Sequence, residues 1–390
     1  MRMFESPAAV LAVLAIVAAF FFFLEQKTQW KLFNFIPPLL FIYSVPVVLS
    51  NTGILPSASP AYDVLGQFGL PVFITLLLLS IDVGAAVRIM GKGVFVMLLG
   101  TVGVVVGAPI GYFVVHRWLP PDAWKGFGAL AGSWIGGTGN MAAVAGGLET
   151  PPEIFGLAVL ADNAIYVIWL PILLGSKAFA EKFNKWARVS ESRVAEMEAA
   201  AKAEVSKDVE EPVKMRQLLY LAAIALSATA LAAWIAPMLP VIEPILSTST
   251  WRVLIVTTIG ILLSLTPARR LPRSHEIAMA IVYIFVAGMG ARASLAGLGD
   301  APAFLLGALI WIFIHGLFCL AGAWIFKVDV HSAAIASAAN IGGAASAPVV
   351  AAYHRESLVP VSILMALIGY AIGNYGAFIA ARLCFWVGGG

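Results

Sequence analysis

Two short glycine-rich passages carry polar side chains inside an otherwise apolar chain. Residues 132–140 read Gly-Ser-Trp-Ile-Gly-Gly-Thr-Gly-Asn, and residues 337–346 read Ser-Ala-Ala-Asn-Ile-Gly-Gly-Ala-Ala-Ser. A helix that breaks at membrane depth frees N–H and C=O groups, which protein, water or a bound solute must then satisfy. One break in each half of a chain points to the binding site of a secondary transporter.

The side chains in and near these passages suggest two kinds of ligand. Backbone amides freed at glycines suit an anion, as do hydroxyl donors, whereas amide and carboxylate oxygens suit a cation. The expected substrate-binding residues are Ser133, Gly136, Gly137, Thr138, Gly139, Gly342, Gly343 and Ser346. The expected ion-coupling residues are Asn140, Asp162, Asn163, Asn340 and Asn374. The alternative is that the small residues serve close helix packing, as in GxxxG motifs.

Asp162 is the acidic side chain most suggestive of ion coupling. It lies inside an apolar run over 154–175, and no Lys or Arg is near it in sequence. A carboxylate at this depth is expected to face a cavity, to bind a cation or to carry a proton. The alternative is a structural carboxylate that accepts hydrogen bonds from Ser, Thr or backbone N–H groups.

The composition restricts the class of protein. The chain has 390 residues, of which 61% are hydrophobic and only 12% are charged, about half the charged share of soluble domains. The net charge of +3 and the absence of basic blocks argue against nucleic acid as a partner. Cys319, Cys384 and the scattered histidines match no metal motif. We therefore expect a multi-pass membrane protein that is not an enzyme and has no cofactor, apart from a coupling Na⁺ or H⁺.

Twelve apolar runs are long enough to be membrane segments, and they form two sets of six. They cover 7–24, 34–50, 64–82, 93–115, 125–147, 154–175, 216–239, 251–266, 276–297, 302–326, 331–352 and 357–386. The only long polar stretch separates the sets. This predicts an N-terminal repeat over 1–175, a charged cytoplasmic linker over 176–217 with a helix over 191–204, and a C-terminal repeat over 218–390.

Basic residues at the segment ends predict the topology. The linker and the loop with Arg269, Arg270 and Arg273 should be cytoplasmic, whereas the loop 51–67 has no Lys or Arg and should lie outside. These and the other basic loops agree only if both glycine-rich segments enter and leave on the same side. Five crossings then separate them, which makes the two halves inverted copies. Broken helices that cross fully are the alternative.

A single constant offset in the numbering aligns the two passages. It places Ile135-Gly136-Gly137 on Ile341-Gly342-Gly343 and Asn140 on Ser346. Each passage is followed by a long apolar span with an Asn near its middle, Asn163 in the first half and Asn374 in the second. Known short repeats have periods of roughly 20–50 residues, so an offset of about half the chain indicates a duplicated half of the protein.

These motifs resemble a known family. The passages 132–141 and 340–344, together with Ala161-Asp162-Asn163-Ala164 and the stretch 367–375, resemble the YjcL-like integral membrane proteins, domain of unknown function 819. The paired GGxG segments are distantly similar to those of the 2-hydroxycarboxylate and glutamate/sodium symporters, whose re-entrant segments meet at the substrate. The second segment departs from GGxG at Ala345. Asp162 beside Asn163 also resembles the placement in sodium/proton antiporters.

The resemblance and the residues together predict an all-α protein with two inverted repeats in the bacterial cytoplasmic (inner) membrane. We expect an ion-coupled secondary transporter that moves a small anionic organic solute by elevator-like alternating access, as a homodimer. A sodium/proton antiporter that uses Asp162 is the alternative function. A membrane-embedded enzyme or a receptor is less favoured, because no reactive constellation of side chains is present.

Overall fold

The structure, a computed structural model, describes residues 4–30, 33, 37–81, 91–189, 213–294 and 299–390. These ranges are helical, with one isolated β-bridge between Ile242 and Leu246. The helices are α1 (Pro7–Thr28), α2 (Pro38–Asn51), α3 (Pro60–Leu79), α4 (Gly93–Val115), α5 (Ala123–Gly147), α6 (Pro152–Gly175), α7 (Ala180–Trp186), α8 (Met215–Ile235), α9 (Thr248–Ser264), α10 (Ser274–Arg292), α11 (Ala301–Phe326), α12 (Val330–Ile341), α13 (Gly343–His354) and α14 (Val359–Val387). The prediction of an all-α fold is confirmed.

The long helices account for the predicted membrane segments. Within the described ranges, eight segments are long and apolar enough to cross a membrane, and they contain α1, α3, α4, α6, α8, α10, α11 and α14. The shorter apolar helices α2 and α9 bring the number of segments to ten. The predicted helix over 191–204 lies outside the described residues.

The antiparallel packing of α4 against α11 shows that the two repeats are inverted. These helices precede the two glycine-rich passages in equivalent positions. At one end of the contact, a Cβ on Gly100 would lie 2.7 Å from Cys319 Sγ, and at the other end a Cβ on Gly111 would collide with the carbonyl of Gly307. Residue numbers therefore rise along α4 as they fall along α11. Equivalent helices that run antiparallel belong to inverted copies.

The helices form two bundles. The first, which we term the scaffold bundle, contains α1, α2, α3, α8, α9 and α10, and its contacts are reciprocal: α2 packs on α10 as α9 packs on α3, and α1 packs on α2 as α8 packs on α9. The second, termed the hairpin bundle, contains α4, α5, α6, α11, α12, α13 and α14. Each bundle thus takes equivalent elements from both repeats, which is the arrangement of a two-fold internal symmetry.

Helix α5 is a hairpin that turns at Gly137, whose backbone has φ 79° and ψ −175°. A Cβ on Gly132 would lie 2.8 Å from the carbonyl oxygen of Asn140, although eight residues of straight helix span about 12 Å. The two arms therefore lie side by side. We call α5 the first hairpin, and the residues around Gly137 its tip.

Helices α12 and α13 form the second hairpin. The chain turns at Gly342 and at Gly343, which has φ 60°. At the base of the hairpin, His331 Nδ1 lies 2.9 Å from His354 Nδ1, so the hairpin ends where it began. Each arm has 12 residues and is about 18 Å long, little more than half the hydrocarbon thickness of about 30 Å. The prediction of re-entrant segments agrees with this geometry.

Candidate functional site

The two hairpin tips meet. A Cβ on Gly343 would lie 3.6 Å from the Cα of Gly137, so the backbones of the two tips are in near contact. The ring of Tyr370 from α14 covers both glycines, with Cε1 at 3.3 Å and 3.8 Å from the two Cβ positions. The backbone of Ala344 hydrogen-bonds the phenol of Tyr370. The offset that aligns the two passages thus relates two glycines that are neighbours in space.

Asp162 lies beside the first arm of the first hairpin. Its carboxylate Oδ1 accepts a hydrogen bond of 3.0 Å from Trp134 Nε1, and the hydroxyl of Ser133 is a second partner. The side chain is half-buried, and no Lys or Arg of the described residues forms an ion pair with it. Two neutral donors therefore hold a carboxylate that has no cationic partner.

Tyr166 extends this group to the second hairpin. It lies one turn after Asp162 on α6, and its phenol lies near the hydroxyl of Ser346. Its ring Cε2 would be 3.1 Å from a Cβ on Gly342. One face of α6 thus contacts both hairpins, through Ser133 in the first and Ser346 in the second. Hydroxyl, carboxylate and freed backbone groups together suit a small polar solute or a proton.

A chain of amides lies on the other side of the tips. Asn140 Nδ2 donates to Asn374 Oδ1 at 2.9 Å and to the carbonyl of Tyr370 at 3.0 Å. Asn374 Nδ2 in turn donates to Thr257 Oγ1 at 2.8 Å. This second contact joins the hairpin bundle to α9 of the scaffold bundle. Asn140 Oδ1 is buried without a partner, so it is a free acceptor beside the first tip.

The other predicted site residues lie farther from this group or pack against other helices. The Asn340 amide pairs with the hydroxyl of Thr101 on α4 at 3.0 Å, and Asn163 Nδ2 donates to the carbonyl of Val159 in its own helix at 2.6 Å. Gly139 packs against Leu77 of the scaffold bundle. Thr138 is half-buried at the tip. The structure therefore brings together Ser133, Gly137, Asp162, Gly342, Gly343 and Ser346. It places Asn163 in a hydrogen bond within its own helix and Asn340 in a hydrogen bond to α4.

Comparisons with known proteins agree with this architecture over nearly the whole chain. A family model described as "Protein of unknown function (DUF819)" matches residues 12–385. The chain belongs to the DUF819 family. It is 28% identical over 376 residues to the uncharacterized membrane protein YjcL of Bacillus subtilis (strain 168), and the alignment covers 94% of each chain. This DUF819 protein is a multi-pass integral membrane protein, and in a bacterium its place is the cytoplasmic membrane.

Sequence reasoning for this DUF819 protein missed Trp134, Tyr166 and Tyr370 as members of the site. In the sequence, these aromatic residues are indistinguishable from residues of the apolar core. Only the fold shows which polar atoms lie next to their indole N–H and phenol groups. The spacing of Asp162 and Tyr166, four residues apart on one helical face, is the one signal that could have indicated Tyr166.

A second polar group is structural. His315 Nδ1 lies 2.9 Å from the carbonyl of Gly100, which marks it as the donor, and His315 Nε2 lies 2.9 Å from Ser337 Oγ. Trp169 Nε1 also donates to Ser337 Oγ at 3.0 Å. Both ring nitrogens of His315 are satisfied by neighbours from other helices. His315 is therefore a hydrogen-bonded packing residue.

Proposed function

We propose that this protein is an ion-coupled secondary transporter for a small anionic organic solute, one that carries a carboxylate group. The observation that carries the proposal is the meeting of two broken hairpins at Gly137 and Gly343, with the unpaired carboxylate of Asp162 beside them. Broken segments of inverted repeats that meet in the middle of a membrane are the usual construction of a transporter site.

In this proposal the solute binds between the tips and α6. Backbone N–H groups freed at the glycine turns and the hydroxyls of Ser133, Thr138 and Ser346 hold its anionic group. A cation or proton on Asp162 compensates for the negative charge that enters the membrane. Binding of the solute and of the ion are therefore coupled, because each reduces the electrostatic cost of the other.

The two bundles suggest how the site changes sides. The hairpin bundle holds both tips and Asp162, whereas the scaffold bundle contacts it through smaller patches such as the Asn374–Thr257 hydrogen bond. A sliding motion of the hairpin bundle against the scaffold bundle would expose the site first on one side and then on the other, as in an elevator. We further propose that two copies form a homodimer through their scaffold bundles. This contact keeps the scaffold bundles fixed while the hairpin bundles move.

A cation/proton antiporter is the second candidate. The observation that favours it is that Asp162 has no ion-pair partner among the described residues, so that a Na⁺ ion and a proton would compete for the same carboxylate. Such an antiporter exchanges ions without any organic solute. We do not propose an enzyme, since the site residues form no nucleophile–base pair.

The experiment that tests the proposal begins with the solute. Purified protein is screened by thermal shift against organic acids, amino acids and short peptides, each with and without Na⁺, because a ligand that binds the native state raises its Tm. Proteoliposomes with imposed Na⁺ or H⁺ gradients then compare the wild type with Asp162→Asn. Ion exchange by the wild type without an organic solute, abolished in Asp162→Asn, would establish the antiporter instead.

A further inference from the structure

A cavity lies away from the hairpin tips, between the scaffold bundle and the end of the first hairpin. Its volume is about 520 Å³, within the range of cavities that hold small organic ligands. Helices α3, α9 and α10 contribute one wall, and residues 145–152 contribute the other. The predicted topology places it on the outer side, next to the loop 51–67. A solute that enters from outside would meet this cavity before it reached the tips.

Two buried donors in the wall of the cavity have no partner. Thr150 is only 4% exposed, and its hydroxyl makes no hydrogen bond. The Nε of Arg252, a residue of α9, is also buried without a partner. A buried polar atom without a hydrogen bond is rare in proteins because it costs free energy. A guanidinium N–H and a hydroxyl O–H both donate hydrogen bonds that a carboxylate can accept.

The cavity also has acidic groups. Asp63 and Glu149 line it along with Arg252 and Arg292, so two positive and two negative side chains face one space. None of the four forms an ion pair with another, and one oxygen of Glu149 accepts a hydrogen bond of 2.6 Å from Ser249. The formal charge of these four groups sums to zero. A purely anionic solute would therefore give the occupied cavity a net negative charge.

We infer that this cavity is a binding site for a zwitterionic solute of the amino-acid type. Its carboxylate binds Arg252 and Thr150, and its ammonium group faces Asp63 and Glu149. This inference deepens the proposed function and rests on it for the claim that the bound molecule is the transported solute. It also specifies the solute further: its anionic group is a carboxylate, and an ammonium group on the same molecule balances that charge.

Equilibrium binding to the full-length protein in detergent tests the inference without any ion gradient. The standard L-amino acids are titrated by calorimetry at up to millimolar concentration. For the tightest of them, binding is repeated with its amide, which lacks the carboxylate, and with its 2-hydroxy acid, which lacks the ammonium. We expect both analogues to bind at least roughly tenfold more weakly, as expected for the loss of one charge-assisted hydrogen bond.

Two substitutions locate the site. Arg252→Gln and Thr150→Val should each weaken binding of the amino acid by roughly tenfold, whereas Arg117→Gln, at an exposed arginine outside the cavity, should leave binding unchanged. Thr150→Val is nearly isosteric, so it serves if Arg252→Gln fails to fold. Each variant is checked by its Tm without ligand.

Three results would overturn the inference: no binding by any amino acid, equal binding of the 2-hydroxy acid, or unchanged binding in Thr150→Val and in a folded Arg252→Gln. None of these results touches the proposed transport function, which gradient-driven uptake tests separately. Conversely, amino-acid binding without gradient-driven uptake would support the cavity and contradict the transporter.

Discussion

Tyr166 in α6 occupies the position that Gly373 occupies in α14. Tyr166 and Gly373 lie equally far along their helices from the first residues, Pro152 and Val359. Gly373 packs on Asn140 and Gly136 of the first hairpin, and Tyr166 contacts Ser346 and Gly342 of the second. In α14, the glycine lets the helix pack tightly against the first hairpin. In α6, the tyrosine and Asp162 one turn away place polar groups against the hairpins. This difference between the two equivalent helices creates the candidate site.

Close packing at Gly373 should be essential for the fold of the hairpin bundle. A Cβ at this position would lie 2.6 Å from Asn140 Nδ2 and 3.2 Å from Gly136 Cα. Gly373→Ala should therefore destabilise the protein by about 1–3 kcal/mol, the usual range for overpacking. Gly175→Ala is the matched control, because a Cβ there meets nothing within 4 Å. Thermal unfolding in detergent measures both, and equal Tm values would refute the packing argument.

The hydroxyl of Tyr166 should contribute to solute affinity and not to folding. Tyr166→Phe keeps the ring against Gly342 but removes the phenol oxygen that lies near Ser346 and can hydrogen-bond a solute. We expect the KM for uptake to rise by up to about tenfold, the equivalent of one hydrogen bond, with little change in Tm. Tyr220→Phe, at an exposed position of α8, is the control. A KM that stays the same in Tyr166→Phe would place Tyr166 outside the site.

The left-handed turn at Gly343 should be required for transport. Its φ of 60° disfavours any residue with a Cβ and costs about 1–2 kcal/mol in Gly343→Ala, and the new methyl group would lie at the meeting point of the tips, in van der Waals contact with Gly137. Gly53, with φ 80° and open space around it, provides a control with the same kind of backbone strain. Both variants should lose stability, but only Gly343→Ala should lose uptake. Loss of uptake in both would mean that general destabilisation is the cause.

The base of the second hairpin should make stability depend on pH. Burial lowers the pKa of His331 and the pKa of His354 below the ordinary value of 6.5. The positive charge of Lys177 also lowers both pKa values, and that of Arg355 lowers the pKa of His331. The negative charge of Asp329 acts in the opposite direction on both. The folded state then binds fewer protons than the unfolded state. Stability is therefore lost as the pH falls below 6.5 and is fully present above it.

A series of Tm measurements between about pH 7.5 and pH 5.5 checks this dependence. The wild type should lose a few degrees over this range, and His331→Gln should lose less because one of the two groups is gone. His116→Gln removes a histidine from the opposite side of the protein and should keep the wild-type slope. A wild-type Tm that does not change with pH would contradict the account of the histidine pair.

Much of the fold was predictable because apolar length and glycine content act locally. The twelve apolar runs correspond to the observed helices, and the offset that aligns the two passages places Gly137 and Gly343 in equivalent turns. The charge pattern of the loops favoured hairpins, and the contact of Gly132 with Asn140 agrees with it. These features follow from the chemistry of the bilayer, which each segment meets independently.

The exact set of site residues was not predictable, since it depends on which residues of neighbouring helices lie at the same height. The position of Asn163 and Asn374 near the middle of a span predicts that the two residues are equivalent. When the two helices are aligned by their starts, Pro152 and Val359, Asn163 corresponds to Tyr370, and the expected equivalence of the two asparagines is wrong. A difference of a few residues turns a helical side chain to another face. Trp134 likewise reaches Asp162 only through the folded hairpin.

In the proposed mechanism, Asp162 couples an ion gradient to movement of an organic solute, and uptake driven by a gradient measures that coupling. Proteoliposomes with wild-type protein or Asp162→Asn are loaded with buffer, a Na⁺ or H⁺ gradient is imposed, and the solute found by thermal shift is measured inside. The wild type should accumulate the solute only when the gradient is imposed, and Asp162→Asn should not accumulate it. Accumulation by Asp162→Asn that still follows the gradient would contradict the coupling role of Asp162.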